Sequence, residues 1–192
     1  ADITLELYNN RRTIMTTFTH QVSPKDILIR RIGEQHRTPF VQLLAPKDTS
    51  RCIHIAFIAE GYQPSEMSTF IADATLSMDA IFAHEPFKSL KDRFSIVAVQ
   101  APSVDSGTSI PSKGIWKRTA LSSHFDTFYS ERYLTTLNLK DLHDQLAGIP
   151  YEHIIVLVNT PHYGGGGILN SYNLSMAHHQ LTRPVVVHEF GH

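Results

Sequence analysis

The stretch IHIAFIA at residues 53–59 decides the fold, because it is a nearly continuous apolar run with β-branched members. Such a run predicts an inner strand of a sheet that is covered on both faces. A helical pattern follows, since apolar residues recur at spacings of three and four from Met67 to Phe82. A second buried strand is predicted over Phe94–Ala101. Strand, helix and strand in this order predict a parallel pair joined by a right-handed crossover.

The same pattern continues toward the C-terminus. Leu139, Leu142 and Leu146 predict one face of a helix, and Ile154–Val158 predicts a third buried strand. Residues 102–128 form a long irregular segment rich in Ser, Thr, Gly and Pro, and such segments are usually functional or mobile. We therefore predict an α/β fold with a mostly parallel central sheet.

The first 50 residues carry a different, β-rich pattern. Four strands are predicted there, at Ile3–Leu7, Ile14–Phe18, Ile27–Ile32 and Phe40–Leu44. The polar stretch PKDTS at residues 46–50 is the best candidate for a domain boundary. We therefore predict a short β-rich segment over residues 1–50 and a second domain over residues 51–192.

Charge and composition favour a globular protein without an obvious charged partner. The net charge of −1 gives no indication of binding to nucleic acid or to an anionic membrane surface. No apolar stretch approaches the roughly 20 residues of a membrane-spanning helix, so no transmembrane segment is expected. Cys52 is the single cysteine, and a cytoplasmic protein or a disulfide-free bacterial secreted protein would both fit.

The strongest chemical motif is HEFGH at residues 188–192, a His-Glu-x-x-His pattern preceded by an apolar lead-in. On a helix, His188 and His192 lie on one face and can bind the same zinc ion. Glu189 can then take a proton from a water that the metal activates, which is the chemistry of metal-assisted hydrolysis. The alternative is a buried helix with two hydrogen-bonded histidines.

A catalytic zinc needs a third protein ligand, and the motif supplies two. His178 and His179 are candidates upstream, but two adjacent histidines before a helix are more often solvated. We therefore expect the 192 residues to be a fragment of a longer protein that is inactive by itself.

The run YGGGGI at residues 163–168 needs a physical reason, because four consecutive glycines cost much conformational entropy on folding. A bare flexible turn is one interpretation. The other is an exposed edge strand at about residues 167–176, to which an extended peptide substrate adds by backbone hydrogen bonds. This hypothesis makes Gly165, Gly166, Gly167 and Ile168 candidate substrate-binding residues. Tyr163 is a further candidate, as a group that stabilises an oxyanion near the zinc.

Several short segments of the sequence, in order, resemble the N-terminal part of the catalytic domain of the bacterial IgA-peptidase family of zinc metalloendopeptidases. These segments are AEGY at 59–62, EPF at 85–87, DSG at 105–107, KGIWK at 113–117, TAL at 119–121, RYLTT at 132–136, IIVLVN at 154–159, YGGGGI at 163–168 and HEFGH at 188–192. The resemblance covers about three quarters of the chain, from residue 51 to residue 192.

The resemblance implies a zincin-like α/β domain with an antiparallel edge strand. By position it makes His188 and His192 zinc ligands and Glu189 the catalytic acid and base. It also implies a Gly-rich acidic segment ending in Asp-Glu-Tyr after the motif, which this chain lacks and where the remaining ligand is expected. Residues 1–50 would match the end of a β-sandwich domain. A secreted, periplasmic or cell-surface location in a bacterium is implied in the same way.

The leading hypothesis is a zinc-dependent endopeptidase that acts on a protein or peptide substrate, with Zn²⁺ as its cofactor. The alternative is a non-catalytic zincin-like protein that binds a peptide or glycan on its edge strand. The alternative predicts no tightly bound zinc and no activity that a chelator removes.

Overall fold

The computed structural model describes residues 1–26, 37–48 and 51–191. The chain divides into two compact units, Ala1–Ile32 and Gly33–His192. The strands and helices of the described residues, in chain order, are β1 (Asp2–Tyr8), β2 (Ile14–Gln21), β3 (Phe40–Leu44), β4 (Ile53–Glu60), α1 (Met67–Phe82), β5 (Phe94–Val99), α2 (Leu139–Gln145), β6 (His153–Val158), β7 (Gly165–Ile168), β8 (Tyr172–Met176) and α3 (Thr182–Phe190).

The first unit contains an antiparallel hairpin of β1 and β2, where the alternating pattern predicts two strands. Leu5 lies opposite Phe18, so apolar side chains share one face of the hairpin. The Asn9 side chain closes the turn by accepting hydrogen bonds from the backbone N–H groups of Arg11 and Thr13. The strand predicted at Ile27–Ile32 lies outside the described residues.

The second unit is built on a six-stranded sheet with the order β3-β5-β4-β6-β8-β7. The four inner strands are parallel to one another, whereas β3 and β7 run antiparallel at the two edges. The predicted α/β fold, with a mostly parallel sheet and an antiparallel edge strand, is therefore confirmed.

The division between the two units lies before β3, whereas the polar stretch at residues 46–50 predicts a boundary after it. β3 pairs with β5, with Phe40 opposite Val99, and so belongs to the sheet of the second unit. The boundary predicted at residue 50 therefore does not coincide with the division between the units. That the β-rich segment ends a β-sandwich stays a prediction.

Helices cover both faces of the sheet, as the apolar runs predict. Successive residues of β4 point to opposite faces: Ile55 and Phe57 pack with α1 and α3, and Ala56 and Ile58 pack with α2. Val186 of α3 is fully buried in the core that contains Ile55 and Phe57. None of the helices in the described ranges is long and apolar enough to cross a membrane.

Glu60, the last residue of β4, anchors the long segment between β5 and α2. Its carboxylate is fully buried and accepts three hydrogen bonds: from the Thr119 hydroxyl at 2.5 Å, and from the backbone N–H groups of Leu121 and Ser123 at 2.8 Å each. Burial raises the pKa of Glu60, while these three donors act in the opposite direction. The carboxylate thus fixes the segment at the carboxyl end of the sheet.

Candidate active site

The motif helix α3 follows β8 after a short turn, and its last turn carries the first two residues of the motif. The helix predicted over this region is confirmed as Thr182–Phe190. With Val186 in the core, the helix presents His188 as an exposed residue and Glu189 as a half-buried one. His192, the second predicted zinc ligand, lies outside the described residues.

Three of the four glycines, Gly165 to Gly167, lie in a strand and not in a turn. β7 covers Gly165–Ile168 and pairs antiparallel with β8, so that Gly166 lies opposite Leu174. The interpretation as a bare flexible turn is therefore wrong, and the edge strand expected at about residues 167–176 begins earlier. β8, which supplies the later part of that range, lies inside the sheet between β6 and β7.

Gly165 lies where β7 comes close to α3. A Cβ atom at Gly165 would lie 2.8 Å from Oε1 of Glu189, 3.1 Å from Cγ1 of Val185 and 3.2 Å from the carbonyl oxygen of Leu174. Any side chain at this position would therefore compete with the Glu189 carboxylate for the same space. The missing side chain lets the carboxylate of the motif lie directly against the edge strand.

One cavity joins the motif to the glycine strand. It has a volume of about 520 Å³ and, of the residues predicted for the site, it is lined by His188, Glu189, Tyr163, Gly165, Gly166 and Gly167. Ile168 lines a neighbouring cavity of about 350 Å³, which also contains Gly167 and Glu189. The structure thus brings together every predicted site residue that it describes, and Glu189 lies where the two cavities meet.

The outer edge of β7 is only partly open. The Gly165 N–H donates to the Arg132 carbonyl at 3.3 Å, and the Leu134 N–H donates to the Gly165 carbonyl at 3.1 Å. Because outward-facing backbone groups alternate along an antiparallel strand, the N–H and C=O of Gly167 point to the same side as those of Gly165. The available part of the edge therefore starts at Gly167, beside Glu189.

Residues 41–192 match the protein family described as IgA Peptidase M64. The chain belongs to this family. Membership implies metallopeptidase activity in general, and with it a protein substrate. A comparison with curated proteins finds no match.

The match to the M64 family starts within β3 and continues through the motif, so it includes β7 and α3, which both line the cavity. The donor chemistry at the cavity suits the metal that such a peptidase uses, because His188 supplies an imidazole and Glu189 a carboxylate beside it. His188 is the described histidine of the motif that could hold a metal ion here, and the role of His192 as a second ligand stays a prediction.

The two histidines upstream of α3 have other partners. Nε2 of His178 lies 2.8 Å from Oδ2 of Asp73 on α1. Nδ1 of His179 accepts a hydrogen bond from the Leu181 N–H at 3.1 Å, inside the turn that precedes the helix. Across residues 1–26, 37–48 and 51–191, no three metal-binding side chains form a group that could hold an ion. The third ligand is therefore not identified among them.

Asn173 lies beside the candidate site, and the sequence patterns did not reveal it. It is 2% exposed, and its Nδ2 donates to the Glu189 carbonyl at 3.1 Å and to Nε2 of His153 at 3.0 Å. Burial lowers the pKa of His153, which favours the neutral ring that can accept this bond. The last carbonyls of a helix lack partners within the helix, so Asn173 stabilises the turn that carries Glu189.

A signal for Asn173 was present in the sequence, because an amide in the middle of the buried strand YNLSM needs hydrogen-bond partners. Arg132 and Tyr133, which also line the larger cavity, had a weaker signal. They lie between β5 and α2, beyond the irregular segment 102–128, where spacing along the sequence predicts no neighbour in space.

Proposed function

We propose that this protein is a zinc-dependent endopeptidase. The observation that supports the proposal most directly is the position of Glu189, whose carboxylate lies against the glycine strand in a cavity shared with His188. A nucleophile generated there would meet a peptide held along β7. The membership of the M64 family supports the same chemistry.

The residues have distinct roles in this mechanism. His188 and His192 would hold the zinc through imidazole nitrogens. When bound, the ion would supply a Lewis acid that polarises the substrate carbonyl and lowers the pKa of water. Glu189 takes a proton from the attacking water and passes it to the nitrogen of the leaving amine as the C–N bond breaks. One water is consumed, and its oxygen ends on the new carboxyl group.

The open edge at Gly167 would orient the substrate. An extended peptide can exchange backbone hydrogen bonds with the N–H and C=O of Gly167, which brings its next carbonyl toward Glu189. Tyr163 lines the same cavity, with its ring centroid 5.5 Å from that of His179. We keep for Tyr163 the proposed role of stabilising the oxyanion. The proposal also includes a secreted, periplasmic or cell-surface location in a bacterium, which cell fractionation would test.

Replacing Glu189 by Gln tests the mechanism. In the full gene product we expect Glu189→Gln to bind as much zinc as the wild type but to hydrolyse casein about a thousandfold more slowly. Zinc is measured by atomic emission, and hydrolysis is measured with and without a chelator. Glu85→Gln is the control, because among the described residues the exposed Glu85 carboxylate accepts hydrogen bonds only from the nearby Ser89.

Two outcomes of this experiment would count against the proposal. Proteolysis retained in Glu189→Gln would remove Glu189 from the mechanism. A wild-type protein that binds peptides at β7 without zinc and without hydrolysis would instead be the non-catalytic binding protein.

A further inference from the structure

Arg132 lies at the junction of two cavities. It lines the 520 Å³ cavity that contains Glu189, and it also lines a neighbouring cavity of about 460 Å³. Tyr163 is shared by the same two cavities, so a peptide that leaves the first cavity on this side enters the second. A residue at this junction is placed to contact a substrate group a short distance from the scissile bond.

The backbone of Arg132 is fixed relative to the glycine strand. Its carbonyl accepts from the Gly165 N–H, and the Leu134 N–H two residues later donates to the Gly165 carbonyl. Gly165 is also the residue against which the Glu189 carboxylate lies. The origin of the Arg132 side chain is therefore held at a constant position with respect to the proposed acid and base.

The charge of Arg132 is not neutralised within the described ranges. Its side chain is exposed and makes no ion pair with any residue in those ranges, unlike Arg118, which is paired with Asp105. Lys113 lines the second cavity and is likewise without an ion pair among the described residues. Glu131 also lines this cavity. The charged lining residues of the cavity are therefore two cations, Arg132 and Lys113, and one carboxylate, Glu131.

We propose that Arg132 and Lys113 form a carboxylate-binding subsite beside the catalytic cavity, and that the substrate carries an acidic group there. This inference rests on the proposed peptidase function. A guanidinium is suited to the role, because its planar donors can bind a carboxylate through two parallel hydrogen bonds. The carboxylate is either an Asp or Glu side chain of the substrate or a free C-terminus.

Peptide binding to the zinc-loaded Glu189→Gln variant tests the subsite without relying on catalysis. The probes are positional-scanning peptide pools with one position fixed as Glu or as Gln, each made with a free or an amidated C-terminus. We expect one fixed Glu position, or the free C-terminus, to bind about tenfold more tightly than its neutral counterpart. A preference for fixed Glu identifies a side chain, and a preference for the free acid identifies a terminus.

The preference must depend on Arg132. Adding Arg132→Gln should remove the tenfold difference, and Arg132→Glu should reverse it toward pools with a fixed Lys. Arg93→Gln is the matched control, because Arg93 is an exposed arginine at the amino end of β5, and it should leave the preference unchanged.

The outcomes separate the two proposals. Equal binding of acidic and neutral pools, or a preference that survives in Arg132→Gln, overturns the subsite even if the wild type hydrolyses casein. A preference that depends on Arg132 in a protein that never hydrolyses casein supports the subsite and rejects the peptidase function.

Discussion

The two faces of β7 are both closed to side chains, but for different reasons. On the face toward α3, a Cβ atom at Gly165 would meet the end of a side chain, the Oε1 atom of Glu189 at 2.8 Å. On the opposite face, a Cβ atom at Gly166 would meet backbone, the Leu134 carbonyl oxygen at 2.5 Å. The end of a side chain moves more easily than a backbone carbonyl, so the same residue type serves chemistry on one face and packing on the other.

The difference shows why a run of glycines occurs here. Strand residues alternate between faces, so a strand that is approached closely on both sides must lack side chains at consecutive positions. Gly164 continues the packing face, because a Cβ atom there would overlap the Arg132 carbonyl and come within 2.5 Å of the Phe125 ring. The glycines cost conformational entropy on folding. The fold requires them because only a strand without side chains fits between α3 and the segment 132–135.

The packing face is expected to give the largest change in stability. Gly166→Ala forces the Leu134 carbonyl to move, and we expect it to lower the free energy of unfolding by about 3 kcal/mol. For a domain of this size the melting temperature should fall by about 10 °C. Calorimetry measures both effects. A melting temperature within about 2 °C of the wild type would show that the segment 132–135 yields easily.

On the face toward α3, a substitution should reduce activity strongly and stability only slightly. Gly165→Ala displaces the Glu189 carboxylate, and because a misplacement of about 1 Å can reduce catalysis about a hundredfold, we expect a loss of that order in kcat/KM. The melting temperature should fall by only about 3 °C, since the displaced group is the end of a side chain. The larger fall expected for Gly166→Ala is the comparison for this small loss of stability. Full activity of Gly165→Ala would mean that Glu189 does not act from this position.

Much of the fold could be predicted, because its signals are local. The apolar run at residues 53–59 and the helical spacing that follows it require only neighbouring residues to be read, and both elements lie where the patterns predict. β3 also lies where a strand is predicted, but its place in the central sheet could not be predicted in this way. Its pairing with β5 joins residues far apart in the chain, and a polar stretch after it resembles a domain boundary.

The candidate site could be predicted where the sequence carries a visible signal, in the motif and in the glycine run. His188 and Glu189 follow from helical spacing, and the structure places both at one cavity. Arg132 and Asn173 come to the site through sheet order and through bridges between loops, which no spacing along the sequence encodes. The glycine run was a visible signal, but its meaning depends on what lies above and below the strand.

Glu60 is linked to the packing face of β7 through a series of backbone contacts. Its carboxylate holds Leu121 and Ser123, the next residue His124 exchanges backbone hydrogen bonds with Thr135, and Leu134 then packs under Gly166. A change at Glu60 should therefore weaken the packing between Leu134 and Gly166. It should leave the other face of β7, where Glu189 lies, unaltered. We expect Glu60→Gln to cost about 2 kcal/mol of unfolding free energy at acidic pH, because its amide leaves a buried N–H without an acceptor.

The pH dependence of this cost tests whether burial or hydrogen bonding controls the Glu60 carboxyl. Because burial raises the pKa of Glu60 in the folded protein, the folded state keeps a proton that the unfolded chain loses near the ordinary value of 4.5. The contribution of Glu60 to stability is then complete below that value and declines as the pH rises through the folded-state pKa. Urea unfolding at a series of pH values should show the difference between wild type and Glu60→Gln shrinking as the pH rises. A difference that grows with pH would mean that the three donors outweigh burial, and that the packing face rests on an ionised carboxylate.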